Sequence, residues 1–408
     1  MEYQAPSKPE LLAPAGNFEK LEIAVHFGAD AVYLAGKNFS LRNFSGNFTM
    51  DEMQQAIAFA HENKVKVYVA CNIFPRNQEQ AAIADFLTSL GSMDPDAIII
   101  SDPGILAMSR EQMPHTPIHL STQTNTTNYN AARFWESQGV KRVNVARELS
   151  LPEIEAIAEH TTLEIEAFVH GAMCISYSGR CLLSSFMENR DGNRGMCCQP
   201  CRFSYTVCEE KRPGQYYPIA EDERGSYIFN SRDLCMIEHI PDMIVSGITS
   251  LKIEGRMKGI NYLASAVKVY REAIDSYMDD PQTYTMKKWW IEELGKLSNR
   301  GYGTGFYLGN ADNVTPNYSA NNCDGFRFAA KVKEEIAPRR ARVEVRNKIY
   351  SHDEIEIIKK KGPNIKDRIV EIKDLNNQPV PFAQPGSSVI IELENRCASN
   401  DLIRKIQP

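Results

Sequence analysis

Half of the ten cysteines of this 408-residue chain stand in one short, glycine-containing stretch. They are Cys174, Cys181, Cys197, Cys198 and Cys201. Thiolates crowded in this way suit a soft metal centre, because thiolate ligands select zinc, copper(I) or iron–sulfur clusters. The spacing Cys174-x6-Cys181-x15-Cys197-x3-Cys201 offers the four cysteine ligands of an iron–sulfur cluster. We therefore expect an iron–sulfur cluster, of the 4Fe–4S type, as the cofactor.

Zinc is the main alternative for these thiols. Structural zinc sites usually combine two close cysteine pairs, and here only Cys197 or Cys198 stands that close to Cys201. A thioredoxin-like pair at Cys198 and Cys201 should open a helix after a strand, but the polar run 188–195 before it is typical of a loop. Disulfides are not expected, because the N-terminus has no apolar segment typical of a secretory signal. The other cysteines are expected to be ordinary buried thiols: Cys71, Cys208, Cys235, Cys323 and Cys397.

Length and composition indicate a soluble protein with more than one domain. A chain of 408 residues exceeds what one hydrophobic core usually supports. Its content of 43% hydrophobic and 24% charged residues is that of an ordinary globular protein. No apolar run approaches the roughly 20 residues needed to cross a bilayer. We therefore expect a cytoplasmic protein without a membrane partner.

Charge is distributed unevenly along the chain. The whole chain has a net charge of −6, but residues 325–408 hold 17 basic and 12 acidic residues, a net charge of +5. Such asymmetry suggests that the basic part meets a polyanion, although a solvated basic surface is the alternative. The candidates for phosphate contacts are Arg339, Arg340, Arg342, Lys359, Lys360 and Lys361.

Eight apolar runs, separated mostly by amphipathic helical patterns, predict an α/β fold of the (β/α)8 TIM-barrel type. The predicted strands are Glu10–Ala13, Ala31–Ala35, Val65–Ile73, Asp96–Ser101, Ile118–Gln123, Arg142–Ala146, Leu163–His170 and Ser250–Gly255. Predicted helices include Phe18–Phe27, Met50–Glu62 and Tyr129–Gln138, and Asp233–Ser246 should form the helix before strand eight. A doubly wound sheet is the alternative, but no dinucleotide-binding glycine pattern is present.

The end of the chain predicts a second, smaller domain. Five short runs separated by turn residues indicate a small antiparallel β-barrel or sandwich: Phe326–Val332, Ala341–Val345, Glu354–Ile358, Arg368–Ile372 and Ser388–Leu393. The expected barrel therefore comprises residues 1–280, with the cysteine-rich segment 168–205 inserted after strand seven. Residues 281–324 are expected to form a helical linker. Residues 325–408 are expected to form the β domain, a candidate RNA-contact surface. Trp289 and Trp290 in the linker should anchor it against the barrel.

Charged residues on strands seven and eight are expected at the mouth of the barrel. Side chains alternate along a strand, so Glu166, Phe168 and His170 share one side of strand seven, opposite its apolar residues. Lys252, Glu254 and Arg256 do the same on strand eight. TIM-barrel active sites lie at the C-terminal ends of the strands. The alternative is a layer of paired salt bridges inside the barrel.

Four segments carry a resemblance to a known family. They are residues 10–16 (ELLAPAG), 166–184 (EAFVHGAMCISYSGRCLLS), 195–202 (GMCCQPCR) and 250–258 (SLKIEGRMK). Together they resemble the collagenase-like proteins of peptidase family U32, over roughly residues 8–320. The layout with a C-terminal β domain is most similar to the prephenate-dependent tRNA uridine hydroxylation branch of that family.

This resemblance implies an enzyme that forms 5-hydroxyuridine at the wobble position of tRNA by an oxygen-independent route. It implies an iron–sulfur cluster on Cys174, Cys181, Cys197 and Cys201, and prephenate as a small anionic co-substrate. Arginine binds carboxylates bidentately, and carboxylates or histidine can transfer protons. The candidate catalytic residues are Glu166, His170, Lys252, Glu254 and Arg256, and the candidates for binding the co-substrate are Arg42, Asn72, Gln123 and Arg147.

Proteolysis is the second hypothesis, because the family bears a peptidase name. The sequence has no His-Glu-x-x-His zinc motif, no Gly-x-Ser-x-Gly elbow and no evident Cys–His nucleophile pair. Hydroxylation of ribosomal RNA or of a quinone precursor is a further alternative, by resemblance to other branches of the family. A non-catalytic RNA-binding protein with a structural cluster is also open.

Overall fold

Short buried strands form the centre of the N-terminal domain. The computed structural model describes residues 7–40, 46–174, 176–202, 206–208, 216–218, 232–309 and 325–407. The eight barrel strands are β1 (Glu10–Pro14), β2 (Ala31–Leu34), β3 (Lys66–Cys71), β4 (Ala97–Ile100), β5 (Ile118–Leu120), β6 (Arg142–Asn144), β7 (Glu164–Ala172) and, after three further short strands, β11 (Ser250–Ile253). They run parallel, and β11 closes the barrel by pairing with both β1 and β7. The predicted TIM-like barrel is confirmed.

Most of the helices alternate with these strands and cover the outside of the barrel. The helices are α1 (Phe18–Phe27), α2 (Met50–Glu62), α3 (Gln80–Gly91), α4 (Pro103–Gln112), α5 (Tyr129–Ser137), α6 (Leu151–His160), α7 (Leu183–Glu188), α8 (Ile240–Val245), α9 (Ile260–Asp279) and α10 (Lys288–Gly295). Local sequence fixes several helix starts: the Asn17 side chain caps α1, and Thr49 with Glu52 forms a capping box on α2. The helices therefore begin just after the C-terminal ends of the strands.

Two apolar clusters hold the barrel together. Ile165, Ala167 and Val169 of β7 face outward and pack in the cluster between strands and helices. Leu12, Tyr33 and other residues form a second cluster inside the barrel. This alternation follows from the period of two along a strand.

One part of the chain differs from the prediction. Within the segment Asp233–Ser246, predicted as a helix, the first three residues form strand β10 (Asp233–Cys235), and the helix α8 is limited to Ile240–Val245. β7 continues past the end of its pairing with β6, so its last residues have a free edge that pairs antiparallel with β10, opposite the edge that pairs with β11. A two-residue strand, β12 (Tyr302–Gly303), extends this edge. Two short strands in the preceding segment, β8 (Thr206–Cys208) and β9 (Tyr216–Pro218), pair with each other.

The C-terminal domain is a closed six-stranded barrel, which confirms the predicted small β-barrel. Its elements are β13 (Phe326–Ala337), β14 (Arg340–Val345), β15 (Ile349–Tyr350), β16 (Glu354–Ile358), β17 (Ile365–Lys373), β18 (Phe382–Ala383), β19 (Ser388–Leu393) and β20 (Leu402–Ile406). The order is β13-β14-β19-β17-β16-β20, with β15 and β18 as a separate pair. The prediction missed β20, because its charged residues Arg404 and Lys405 interrupt the apolar alternation.

Buried polar contacts join the two domains. Arg404 of β20 is fully buried and donates to Glu293 of α10 over 2.5 Å. Lys331 of β13 pairs with Glu22 of α1 at 2.9 Å. Trp290 in α10 is also fully buried, as expected for an anchor. Charges buried at such a contact must be paired, so these pairs define how the domains fit together.

In the described part of the chain, no helix has the length and apolar character that a bilayer crossing requires.

Candidate functional site

A network of charges fills the N-terminal half of the barrel interior. Arg142, only 3% exposed, lies 2.6 Å from Glu10 and 2.5 Å from Glu164. The Tyr68 hydroxyl donates to the other oxygen of Glu10 at 2.5 Å. A buried guanidinium needs such partners, because desolvation of an unpaired charge is costly. At this depth the barrel contains the salt-bridge layer that was the alternative to a catalytic role.

Lys252 connects this layer to the space above it. Its Nζ donates to Glu166 Oε1 over 2.6 Å and lies 4.5 Å from the centre of the Tyr33 ring. Burial lowers the pKa of Lys252, and the neighbouring Glu166 carboxylate opposes that effect. Glu166 is 1% exposed and does not line the cavity described next, so it positions Lys252 from below.

A cavity of about 200 Å³ opens at the C-terminal ends of the barrel strands. This location is where TIM-barrel enzymes place their active sites. Its lining includes ten of the thirteen residues proposed from the sequence: Asn72, Gln123, Arg147, Cys174, Cys181, Cys197, Cys201, Lys252, Glu254 and Arg256. We call it the cysteine cavity.

Four cysteines with the predicted spacing all line this cavity, although they are far apart in the chain. Cys198, the additional thiol, does not line it. The Cys198 sulfur lies 3.2 Å from the Ser184 hydroxyl instead. The spacing alone left Cys197 and Cys198 equivalent, and the structure separates their positions.

The cysteine-rich segment is fastened to the rim of the barrel. Gly179 has a positive φ of 73°, and a side chain there would meet the Gln123 carbonyl oxygen at 2.3 Å, so only glycine allows this approach. The Ser178 amide donates to Glu148 over 2.7 Å. Arg194 forms a bidentate pair with Glu79 at 2.8 and 2.9 Å. These contacts hold the thiols above the strand ends.

Cys174 and Cys181 are hydrogen-bonded to each other. Hydrogen bonds, first from Cys174 and then from Ser176 and the backbone amides of Leu183 and Ser184 at the start of α7, lower the pKa of Cys181 to about 5. The hydrogen bond to Cys181 and burial raise the pKa of Cys174. The pair therefore carries one thiolate in the neutral range, which is the form that ligates metals.

Four thiols on one cavity are a donor set of the type that holds an iron–sulfur cluster. Among the described residues, no three Cys, His, Asp or Glu side chains converge closely enough to hold one metal ion, as a zinc site with Zn–S bonds of about 2.3 Å would require. The thiols surround a cavity instead, and a cluster of several irons is larger than one ion. The eight cysteines whose side chains are described form no disulfide.

Three further cysteines with described side chains, Cys71, Cys235 and Cys397, do not line the cavity. Cys71 and Cys397 are buried, and burial raises their pKa values to about 12 and about 11. Cys235 is partly accessible, and burial raises its pKa to about 11. Cys208 and Cys323 lie outside the residues whose side chains are described. The expectation of ordinary thiols agrees with these positions.

His170 lies elsewhere than predicted. The pairing of β7 with β11 shifts register, so that Lys252 faces Phe168 but the next residue, Ile253, faces His170. One extra residue of β7 is thus accommodated, and such a bulge reverses the alternation beyond it. The His170 ring therefore turns away from the cavity, and lies among the rings of three tyrosines: Tyr262, Tyr270 and Tyr302.

Burial, with the charge of Lys258 as the next cause, lowers the pKa of His170 to about 3. The ring is therefore neutral in the physiological range, and its position does not suit proton transfer in the cavity. Arg42, proposed for the co-substrate, lies outside the described residues.

Sequence reasoning missed several residues of the site. Tyr33 and Asn144 line the cavity near the ends of β2 and β6, positions that the rule of strand ends could have identified. Tyr177 lines the cavity mouth with 63% of its surface exposed. It stands between two of the cysteines, and an aromatic residue in a polar loop was the available signal.

Comparison with known proteins agrees with this geometry. Residues 16–316 match Peptidase family U32, and residues 324–404 match the Peptidase family U32 C-terminal domain. The chain is 46% identical over 311 residues to tRNA hydroxylation protein P1 of Bacillus subtilis, covering 76% of this chain and 72% of that protein.

Two further relatives match nearly end to end. tRNA hydroxylation protein P of Escherichia coli is 36% identical over 428 residues, covering 95% of this chain and 93% of that protein. A protein of Methanocaldococcus jannaschii named as an uncharacterized protease is 35% identical over 413 residues, covering 97% of both chains. With the cysteine motif, the barrel and the C-terminal β domain all matched, this chain belongs to peptidase family U32.

Proposed function

We propose that this protein hydroxylates tRNA, forming 5-hydroxyuridine at the wobble position. The observation that carries the proposal is the convergence of Cys174, Cys181, Cys197 and Cys201 on one cavity that also contains Lys252 and two arginines. The relatives named for tRNA hydroxylation support tRNA as the substrate. We place the reaction in the cysteine cavity.

The four cysteines would hold a 4Fe–4S cluster. When bound, the cluster supplies redox or Lewis-acid chemistry that ordinary side chains lack. The oxygen atom then comes from the hydroxyl group of prephenate, an anionic co-substrate. The C5–H bond of uridine is replaced by C5–O, and the co-substrate leaves reduced by two electrons with the hydrogen from C5, so that atoms and electrons balance.

The cations of the cavity suit an anionic co-substrate. Lys252 presents its ammonium from the barrel floor. Arg147 lies at the rim, with its guanidinium 3.8 Å from the centre of the Phe168 ring and one nitrogen donating to the Ala172 carbonyl at 2.8 Å. Arg256 completes the set. Arginines bind carboxylates with defined geometry, so these side chains would orient prephenate.

Glu254 is the one carboxylate among the described residues that line the cavity. A carboxylate at this position can accept the proton released at uridine C5 and return it to the reduced co-substrate. Tyr177 offers an exposed aromatic face at the mouth. Unpaired RNA bases stack on such faces, so Tyr177 would hold the uracil or its neighbour.

Peptidase activity has less support from the geometry. A cysteine nucleophile usually needs a histidine base beside it. Among the described residues, no histidine lines the cysteine cavity.

The test is to replace Cys181 with alanine and to measure 5-hydroxyuridine in tRNA by mass spectrometry, in a strain that lacks the native protein and its paralogues. Cys397→Ala, a thiol in the C-terminal barrel, is the matched control. We expect the modification to disappear in Cys181→Ala and to persist in Cys397→Ala. Full modification in Cys181→Ala, or a hydroxylated nucleoside found only in ribosomal RNA, would refute the proposal.

A further inference from the structure

A second cavity lies beside the cysteine cavity, at the junction of the two domains. It has a volume of about 480 Å³. Its lining comes from the first turns of α1 and α9 and from the C-terminal domain, through Phe328 and Arg346. Both helices follow barrel strands, so their first turns lie on the same face of the barrel as the cysteine cavity. We call this space the junction cleft.

Three cations from different elements face the junction cleft. They are Lys20 of α1, Lys258 before α9, and Arg346 after β14. Glu19 also lines it, so the four side chains carry a net charge of +2. Arg346 pairs with both Glu19 and Glu344, which leaves Lys20 and Lys258 as the cations of the cleft without a carboxylate at salt-bridge distance among the described pairs. No side chain caps the N-terminus of the 20-residue helix α9, and its first amide groups add a positive potential. The cleft is therefore built for an anion.

Lys20 lines the cleft and also contacts the backbone of Arg256. Its Nζ donates to the backbone carbonyl of Arg256 at 2.9 Å, so its charge lies beside a second cation. The pKa of Lys20 is lowered, first by burial and then by Arg256. Glu19, which also lines the cleft, opposes this lowering, and an anion bound at Lys20 would oppose it in the same way.

The cleft also lies close to the cysteine cavity. Arg256 lines the cavity and Lys258 lines the cleft. Two residues of chain span at most about 7 Å. An extended strand of RNA with one base in the cavity would therefore place a neighbouring phosphate in the cleft.

We infer that the junction cleft binds a backbone phosphodiester of the RNA strand whose base enters the cysteine cavity. This inference rests on the proposed function. Two of the basic residues that the sequence predicted for phosphate contacts already pair with carboxylates. Lys359 pairs with Asp401 at 3.0 Å, and Arg342 pairs with Glu334 at 3.1 Å. Lys258 instead makes a long contact of 3.4 Å to the Ser298 carbonyl and lies 5.4 Å from the centre of the Tyr262 ring, without a carboxylate partner among the described salt bridges.

The test measures binding of full-length tRNA to the anaerobically purified protein by fluorescence anisotropy across a series of salt concentrations. Lys258→Gln removes one cation, and Lys20→Gln/Lys258→Gln removes two. Each phosphate contact contributes about 0.7 to 0.9 to the slope of log K against log salt, so one lost contact weakens binding roughly three- to sixfold at 0.15 M salt. Lys258→Arg should keep both affinity and slope. Lys288→Gln, a substitution at a side chain that is 91% exposed on α10, is the matched control.

We expect the slope to fall by about one for Lys258→Gln and by about two for the double variant. An unchanged slope, or a loss of affinity equal to that of Lys288→Gln, would overturn the inference. Titration with inorganic phosphate at constant ionic strength separates the two sources of phosphate. If Lys258→Gln abolishes phosphate binding and leaves the tRNA slope unchanged, the cleft takes a free anion and the inference fails. If the wild-type protein neither binds nor hydroxylates tRNA, the proposed function fails with it.

Discussion

Lys252 Nζ lies 2.6 Å from Glu166 Oε1, with both side chains buried inside the barrel. Lys252 lines the cysteine cavity, whereas Glu166 lies one layer deeper, with Arg142 Nη1 at 3.6 Å from its second oxygen. The pair thus connects the salt-bridge layer of the barrel interior to the lining of the cysteine cavity. A buried carboxylate that holds a lysine in place contributes to the site without touching the substrate.

Glu166→Gln tests this relationship through stability. The change leaves Lys252 buried beside a neutral amide, and removing one partner of a buried pair typically costs about 3–5 kcal/mol. We expect a loss of that size in the free energy of unfolding, measured with urea. Glu166→Gln/Lys252→Met, which leaves no ammonium at this place, should recover part of it. If the double variant is less stable than Glu166→Gln alone, the two charges are not coupled.

The ligands of the proposed cluster can be tested with two neighbouring cysteines. Cys198 contacts Ser184 and does not line the cavity, whereas Cys197 does. We expect Cys197→Ser to lose most of its iron and sulfide after anaerobic purification, and Cys198→Ser to retain both. The measurements are iron and sulfide content per chain and visible absorbance. An equal loss in both variants would contradict this assignment.

The sequence predicted the barrel and most of the cavity, because both depend on local patterns. Alternation along β7 placed Glu166 and Phe168 inside the barrel, and the cysteine spacing anticipated four thiols on one cavity. The position of His170 depends on the register between β7 and β11, which no local pattern records. Gly171 was the one hint, because its φ of 110° and a 2.6 Å approach to the Glu254 carbonyl exclude a side chain there.

The sequence also could not predict how deep inside the barrel each inward-facing side chain lies. Arg142 stands at the start of a strand and Asn144 near its end, and both face inward. Only the stagger of the strands decides which joins the salt-bridge layer and which reaches the cavity. The junction cleft escaped prediction for a similar reason, since Lys20, Lys258 and Arg346 are brought together by domain packing.

The buried His170 predicts how stability depends on pH. Its folded pKa of about 3 lies below the value of 6.5 expected in the unfolded chain. Between these values the unfolded chain binds a proton that the folded protein does not, so stability falls as the pH falls below about 6.5. From pH 7.5 to 5.5 this residue should cost about 1.4 kcal/mol.

We expect this loss to be absent in His170→Gln, compared by urea unfolding at the two pH values. His119, whose pKa burial also lowers, is present in both proteins and cancels in the comparison. His115→Gln, at an exposed position, is the control and should behave as the wild type. The same pH dependence in His170→Gln and the wild type would show that His170 is not held neutral.

Tyr177 gives the last prediction, which concerns the substrate base. Its ring lines the mouth of the cavity and is 63% exposed, so its face is accessible to a base. Stacking of a base on an aromatic ring contributes about 1–3 kcal/mol. We expect Tyr177→Ala to bind an anticodon stem-loop about five- to 150-fold more weakly, while Tyr177→Phe, which keeps the ring, retains affinity.

Phe134→Ala, at a 56% exposed ring on α5, controls for the loss of an exposed aromatic side chain. Equal affinities for Tyr177→Ala and Phe134→Ala would show that the base does not stack on Tyr177. If Tyr177→Phe loses as much affinity as Tyr177→Ala, the hydroxyl group and not the ring is responsible.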